Sequence, residues 1–250
     1  MTVVEKQKTG ARTSPFTVSL PTKLQWETMT SREQPVKNSL LNYPESLEDL
    51  CNDLGIVGVI GGVQAQRIYL NNDKKKIKKA TELKFLIRHE IIRGKNNIPI
   101  YTLGATGMVM SHGDLSGANT WKTLDSNDVL KRLVFFQLYG SLKKEDDKVS
   151  VGISPDPFIA SINRNGKEFH VLVVRGNENK INLFFKYETD HIPKRMLIVV
   201  EELSHLMPIQ NTLKPYANRI RVTTDLDLSL PFAEMFYAFK DNSWIRENGK

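Results

Sequence analysis

Apolar residues recur at helical spacing through Leu47, Leu50, Cys51 and Leu54, and these i, i+3, i+4 and i+7 positions define one buried face. Just before them, Ser46-Leu-Glu-Asp49 after Pro44 has the Ser-x-x-acid form of a helix start. Gly55 is the predicted stop, with Gly61-Gly62 as the outer limit. A second short helix over residues 63–70 would bury Val63, the Arg67 stem, Ile68 and Tyr69 or Leu70. The polar turn Asn71-Asn72-Asp73 ends it, and Asp73 is placed to cap a third helix from Lys75 to about Glu90. Ile77, Ala80, Leu83, Leu86 and Ile87 would face inward along that helix. Two apolar segments, Ile91–Arg93 and Ile98–Leu103, flank Gly94-Lys95-Asn96-Asn97 and predict a β-hairpin.

Elsewhere the pattern is looser, then changes period. Residues 1–43 are rich in Thr and Ser, broken by Pro15, Pro21 and Pro35, and read as an arm with one short strand near Phe16–Leu20. Residues 104–122 read as a connector around a short helical piece. Ser126 would cap a strong helix over residues 127–142, and the charged run 143–148 marks a boundary. Beyond it, residues 149–153, 158–162, 169–174, 196–200 and 219–222 are short β-rich runs, with helical candidates near 180–187 and 202–216. The expected fold class is α+β or mixed α/β. Its expected organisation is an arm (1–43), a helix-rich unit (44–122), a connecting helix and loop (123–148) and an α/β domain (149–250).

Charge then singles out one stretch. The chain of 250 residues has a net charge of +7. Residues 51–110 hold ten Lys and Arg against four Asp and Glu, so six of those seven charges sit there. A positive field confined to one module points to a polyanion-binding surface. Three helices followed by a hairpin is the order of a winged helix-turn-helix, whose third helix enters the major groove of duplex DNA. The residues expected to touch DNA are Lys74, Lys75, Lys76, Lys78, Lys79, Lys84 and Arg88 on the third helix. Gln64, Gln66 and Arg67 on the second helix and Arg93, Lys95, Asn96 and Asn97 at the hairpin turn complete the set. Lysine outnumbers arginine, which favours phosphate contacts over bidentate reading of guanine.

The remaining chemistry is sparse. Cys51 is the lone cysteine, which leaves no intramolecular disulfide and suits a reducing cytoplasm. The glycine-rich stretch of residues 55–63, which holds no polar side chain, is too short to span a bilayer, so no membrane partner is expected. His89, His112, His170, His191 and His205 show no paired zinc spacing, and Gly104-Ala-Thr-Gly107 lacks the Lys-Ser/Thr of a phosphate loop. No cofactor, metal or small-molecule ligand is expected. The terminal rings Phe232, Phe236, Tyr237, Phe239 and Trp244, with Met235, are either a dimer surface or a segment packed on its own sheet.

Gln64-Ala-Gln-Arg-Ile-Tyr69, the basic helix, and Tyr101-Thr-Leu-Gly104-Ala-Thr-Gly107 together resemble the replication-relaxation winged-helix proteins of bacterial plasmids, phages and conjugative elements. The resemblance covers residues 45–110. It implies a DNA-binding regulator or an accessory factor in replication, mobilisation or transcription of a mobile element. A winged helix commonly strengthens weak single-site binding by dimerising, so a homodimer is expected. In that family the C-terminal part resembles a restriction-endonuclease-type domain, in which strand carboxylates hold Mg²⁺. Ser154-Pro155-Asp156-Pro157 matches the first element of that pattern. Leu172 and Val174, however, stand where the resemblance requires acidic residues, so the domain is expected to be a degenerate, inactive relative. Two rivals remain: a metal-dependent nuclease using Asp156 and Glu168-x-His170, and an adaptor that meets an acidic protein.

Overall fold

The computed structural model describes residues 14–40, 43–146, 148–240 and 242–247, which form a mixed α+β chain with two sheets. Strand β1 (Lys23–Gln25) precedes helix α1 (Glu45–Val57), the two-residue strand β2 (Ile60–Gly61) and helices α2 (Gly62–Ile68) and α3 (Lys74–Glu82). Strands β3 (Leu86–Arg93) and β4 (Asn96–Leu103) and helix α4 (Ala105–His112) follow. The first sheet is antiparallel in the order β1-β3-β4-β2.

Helix α1 buries Leu47, Leu50, Cys51 and Leu54, as their spacing requires. Its start differs from the expected one: Pro44 is the N-cap and no side chain caps it, while Glu45 and Glu48 lie near the positive helix end. It also runs past Gly55 to Gly58, whose φ of +95° suits glycine. On α2, Val63 is exposed rather than buried, while Tyr69 and Leu70 just beyond its end are buried.

The largest departure concerns α3, which stops at Glu82 rather than continuing to about Glu90. Lys84 takes a left-handed φ of +60°. Its N–H donates to the Thr81 carbonyl at 3.0 Å, and the Phe85 N–H donates to the Ala80 carbonyl at 2.9 Å. These two bonds form a Schellman termination with lysine in the position that glycine usually takes. Released from the helix, residues 86–93 form β3 and pair with β4 from Leu86↔Leu103 to Arg93↔Asn96. The connecting turn is therefore Gly94-Lys95 alone, with Gly94 at φ +57°, the first-position glycine of a type II′ hairpin.

The Leu-Gly-x-x-Gly segment braces this turn. A Cβ on Gly104 would lie 2.3 Å from the Lys84 carbonyl oxygen, and one on Gly107 would lie 2.2 Å from that of Phe85. Only glycine lets α4 approach the α3–β3 turn so closely.

The predicted strand near Phe16–Leu20 is absent from the described residues. There the Ser14 hydroxyl accepts the Phe16 amide at 3.0 Å and the Thr17 hydroxyl accepts the Ser19 amide at 3.3 Å. Such side-chain turns compete with an extended ladder, and the strand forms at β1 instead. Residues 1–13, 41 and 42 of the predicted arm lie outside the described residues.

Helix α5 (Ser126–Lys143) is capped by Asp125, not Ser126, through a 2.7 Å bond from the Asp128 amide. It leads to strands β5 (Ser150–Gly152), β6 (Ala160–Arg164) and β7 (Lys167–Val173), helix α6 (Glu178–Tyr187) and strand β8 (Met196–Val200). A short helix α7 (Gln210–Leu213), flanked by 3-10 turns, precedes strands β9 (Ile220–Thr224), β10 (Tyr237–Lys240) and β11 (Ser243–Arg246). The second sheet has the order β11-β10-β9-β8-β7-β6-β5, with β7, β8 and β9 parallel and the flanks antiparallel. One hydrophobic core unites Leu54, Ile60 and Leu86 with Val134, Phe136 and Leu138 of α5 and Val171, Val173, Leu197 and Val199 of the second sheet. The opposite face of that sheet holds Leu172, Val174, Ile198 and Val222 against Ile181 and Phe185 of α6. Met235 and Phe236 are buried and Phe239 packs on Trp244 at 5.0 Å, so the terminal rings are engaged within the chain.

His89 lies buried on β3. Its Nδ1 accepts the Glu27 amide at 2.9 Å, which places the ring proton on Nε2, 2.8 Å from the Thr102 hydroxyl. Burial lowers its pKa from 6.5 to about 4, so the native ring is neutral at pH 7. The unfolded chain binds the proton first as pH falls. Stability contributed by neutral His89 is therefore present above about pH 6.5 and lost on the way down to about pH 4, by at most about 3 kcal/mol. Denaturant midpoints measured across that window should fall in the parent and fall less in His89→Gln. Equal slopes would contradict the assignment.

Candidate nucleic-acid interface

Helix α3 begins after Asp73, whose carboxylate accepts the Lys75 amide at 2.8 Å. Ile77 and Ala80 face the core, and Lys74, Lys75, Lys76, Lys78 and Lys79 are all exposed. At about 100° per residue, Lys75, Lys78 and Lys79 lie opposite the buried side and Lys74 and Lys76 flank them. The lysines thus form one continuous arc. Among the described residues, the ion pair made from this arc is Lys78 with Glu82 at 3.7 Å, both largely exposed. A pair of that kind contributes little.

The placement of these charges matters more than their number. The first turn of α3 has no acidic residue and carries Lys74, Lys75 and Lys76 at the positive end of the helix dipole. Cations there oppose the dipole, at about 0.3–1 kcal/mol each when poorly screened. Asp73 offsets part of that cost. A bound phosphate would be favoured by the dipole, by the free amides and by the lysines together.

The other expected contacts divide. Lys95 and Asn96 are exposed at the hairpin tip, as is Asn97, whose amide donates to Glu90 at 2.9 Å. Arg67 is exposed and lines a cleft of about 270 Å³ between α2 and α5, beside Lys143 and Lys144. Gln66 is half-buried at the end of α2. Arg88 lies on β3 rather than on a helix, paired with Glu90 at 2.8 Å. Lys84 sits in the α3–β3 turn, 3.6 Å from the Glu33 carboxylate.

Two residues leave the set. Gln64 is buried; its amide nitrogen donates to the Leu133 carbonyl at 2.6 Å and its oxygen accepts the Gly61 amide at 3.0 Å. Arg93 is also buried, and donates to the Thr22 hydroxyl at 2.8 Å and to the Pro15 and Thr17 carbonyls at 2.8 and 3.0 Å. It clamps the N-terminal segment to β3 instead of reaching outward. Asn71 and Asn72, expected only as the turn that ends the second helix, are both exposed with positive φ before α3.

Among the described residues, the acidic groups of the second sheet do not assemble into a metal centre. Asp156 pairs with Lys180 at 2.6 Å on the surface. Glu168 accepts from the Ser161 hydroxyl at 2.8 Å and lies 3.5 Å from His170, whose Nδ1 is 2.5 Å from the Ser154 hydroxyl. Among the described residues, no three His, Cys, Asp or Glu side chains converge on a common point. Leu172 and Val174 are buried within an apolar cluster. Burial also raises the Cys51 thiol to about 12, which removes it as a nucleophile at neutral pH. Among the described residues, no helix is long and apolar enough to cross a membrane.

No family model matches this chain, and a search of curated proteins finds no match either.

Proposed function

We propose that the chain binds duplex DNA through α3, with the β3–β4 hairpin tip as a second contact, and acts as a regulator or accessory factor without catalysing a reaction. The observation that carries this reading is the exposed arc of five lysines on α3, three of them at its positive end. A merely solvated helix face explains exposure but not cations placed against the dipole. The order α1-β2-α2-α3-β3-β4, with β2 joining the hairpin sheet, supports reading residues 45–103 as a winged helix-turn-helix. The fit of Gly104 and Gly107 to their turn supports the resemblance to replication-relaxation proteins, and with it a role on a bacterial mobile element.

For the C-terminal unit, α5-β5-β6-β7-α6-β8, with β8 parallel to β7, supports a nuclease-like ancestry. The buried Leu172 and Val174 argue for lost chemistry. Supercoiled plasmid incubated with the chain and Mg²⁺ or Mn²⁺ should stay supercoiled. Nicking that disappears in Asp156→Ala would instead establish a nuclease.

A salt-titrated gel-shift series with duplex DNA tests the binding itself. Absence of a complex even at low salt would favour an acidic protein as the partner of α3.

A further inference from the structure

The second sheet carries a basic cleft that its own charge balance conceals. Residues 151–250 hold thirteen basic and twelve acidic side chains, so no window of sequence marks them. Yet Lys167, Lys194, Arg195, Arg219 and Arg221 line one open cavity of about 600 Å³, with Glu247 as the acidic group of its lining. Three aromatic rings line its wall: Phe169 and Phe232 are half-buried, and Phe236 is buried behind them.

Topology explains the convergence. Strands β7, β8 and β9 run parallel, so their N-terminal ends lie side by side, about 4.8 Å apart. Val171 and Leu197 pair across β7 and β8, and Leu197 pairs with Arg221 across β8 and β9. Two residues back along the same face stand Phe169, Arg195 and Arg219. That face is apolar where it joins the main core, at Val171, Val173, Leu197 and Val199. It turns cationic at the strand beginnings, where the 232–236 segment forms the opposite wall. Lys167, Lys194, Arg195 and Arg219 are exposed, and among the described residues none of the four has an ion-pair partner. Arg221 is committed to Glu247 at 2.7 Å and shapes the floor. Arg164 stacks on the Phe232 ring at 4.0 Å.

We infer that this cleft is a binding site for a single-stranded nucleic-acid segment, separate from the α3 surface. Cations on the rim with aromatic rings within is the combination that holds an unpaired strand: phosphates meet the cations and a base stacks on a ring. A duplex rod cannot enter a concavity of this size, whereas an unpaired nucleotide can. The pairing of the two sites suits a protein acting where duplex meets unwound DNA, and the cleft stands whether or not α3 binds duplex.

The test uses the full chain and fluorescent oligo(dT), with a duplex as the second probe. The variant Lys194→Glu/Arg195→Glu/Arg219→Glu changes only exposed side chains, and unchanged circular dichroism and melting verify its fold. It is expected to lose at least tenfold in oligo(dT) affinity while duplex affinity changes less than threefold. Alanine at Lys75, Lys76, Lys78 and Lys79 should do the reverse. The four rim cations together give a log–log salt slope of about −3 for oligo(dT). An abasic strand of equal length should bind about tenfold more weakly than oligo(dT). Oligo(dT) affinity unchanged in the triple variant, or absent in the parent at low salt, overturns the site. Equal binding of the abasic strand or of poly-glutamate overturns the nucleic-acid assignment in favour of a general polyanion.

Discussion

Simultaneous replacement of Lys75, Lys76, Lys78 and Lys79 by alanine is expected to lower duplex affinity by at least a hundredfold at about 0.1 M salt and to flatten the log–log salt dependence by about 3 to 4. Each phosphate-bound cation contributes about 0.9 to that slope in duplex DNA. The fold should survive, because these side chains are exposed and the helix is anchored through Ile77 and Ala80. Removing Lys75 and Lys76 from the positive end of α3 offsets the loss of Lys79 from its last turn and of the exposed Lys78–Glu82 pair, so stability should change little. Lost affinity at nearly unchanged stability separates a binding surface from a scaffold. Fluorescence anisotropy across a salt series, with thermal melts of both proteins, measures both quantities. Affinity within threefold of the parent would remove α3 from the interface.

A second large effect is expected far from α3. Arg175, at the end of β7, pairs with Asp225 just after β9, and both side chains are almost wholly buried. The Ser14 hydroxyl donates to the same carboxylate, fastening the N-terminal segment to the second sheet. Burial pushes the Asp225 carboxyl up and Arg175 pulls it back. Asp225→Ala leaves the guanidinium without a counter-charge inside the protein and should cost about 3–5 kcal/mol in denaturant unfolding. Adding Arg175→Met to Asp225→Ala removes the stranded charge and should recover most of that loss. Strictly additive destabilisation in the double variant would contradict the pairing.

Much of the first unit was legible because local signals agreed. Leu47 to Leu54 kept a helical period, Asp73 capped α3 and Gly94 marked the hairpin. The end of α3 was not legible, since Lys84 occupies the left-handed position where glycine would have announced a stop. Leu86 and Ile87 then continued the helical period by accident. The roles of Gln64 and Arg93 were equally hidden. Their polarity suggested outward donors, but their partners are Leu133, Pro15, Thr17 and Thr22, supplied by distant segments that only the fold brings near. The cleft on the second sheet was hidden for the same reason: its cations come from three strand beginnings far apart in sequence. The resemblance set Asp156 in a nuclease-like pattern and asked for acidic residues at Leu172 and Val174. What the structure adds is that these two positions are core.

Lysine acetylation footprinting by mass spectrometry, with and without duplex DNA, addresses the α3 interface without any substitution. Lys74, Lys75, Lys76, Lys78 and Lys79 should be protected several-fold by duplex, with Lys95 following them, while the exposed Lys194 reacts at an unchanged rate. Equal reactivity of the α3 lysines in free and DNA-bound protein would contradict the proposal that this helix lies against the phosphate backbone.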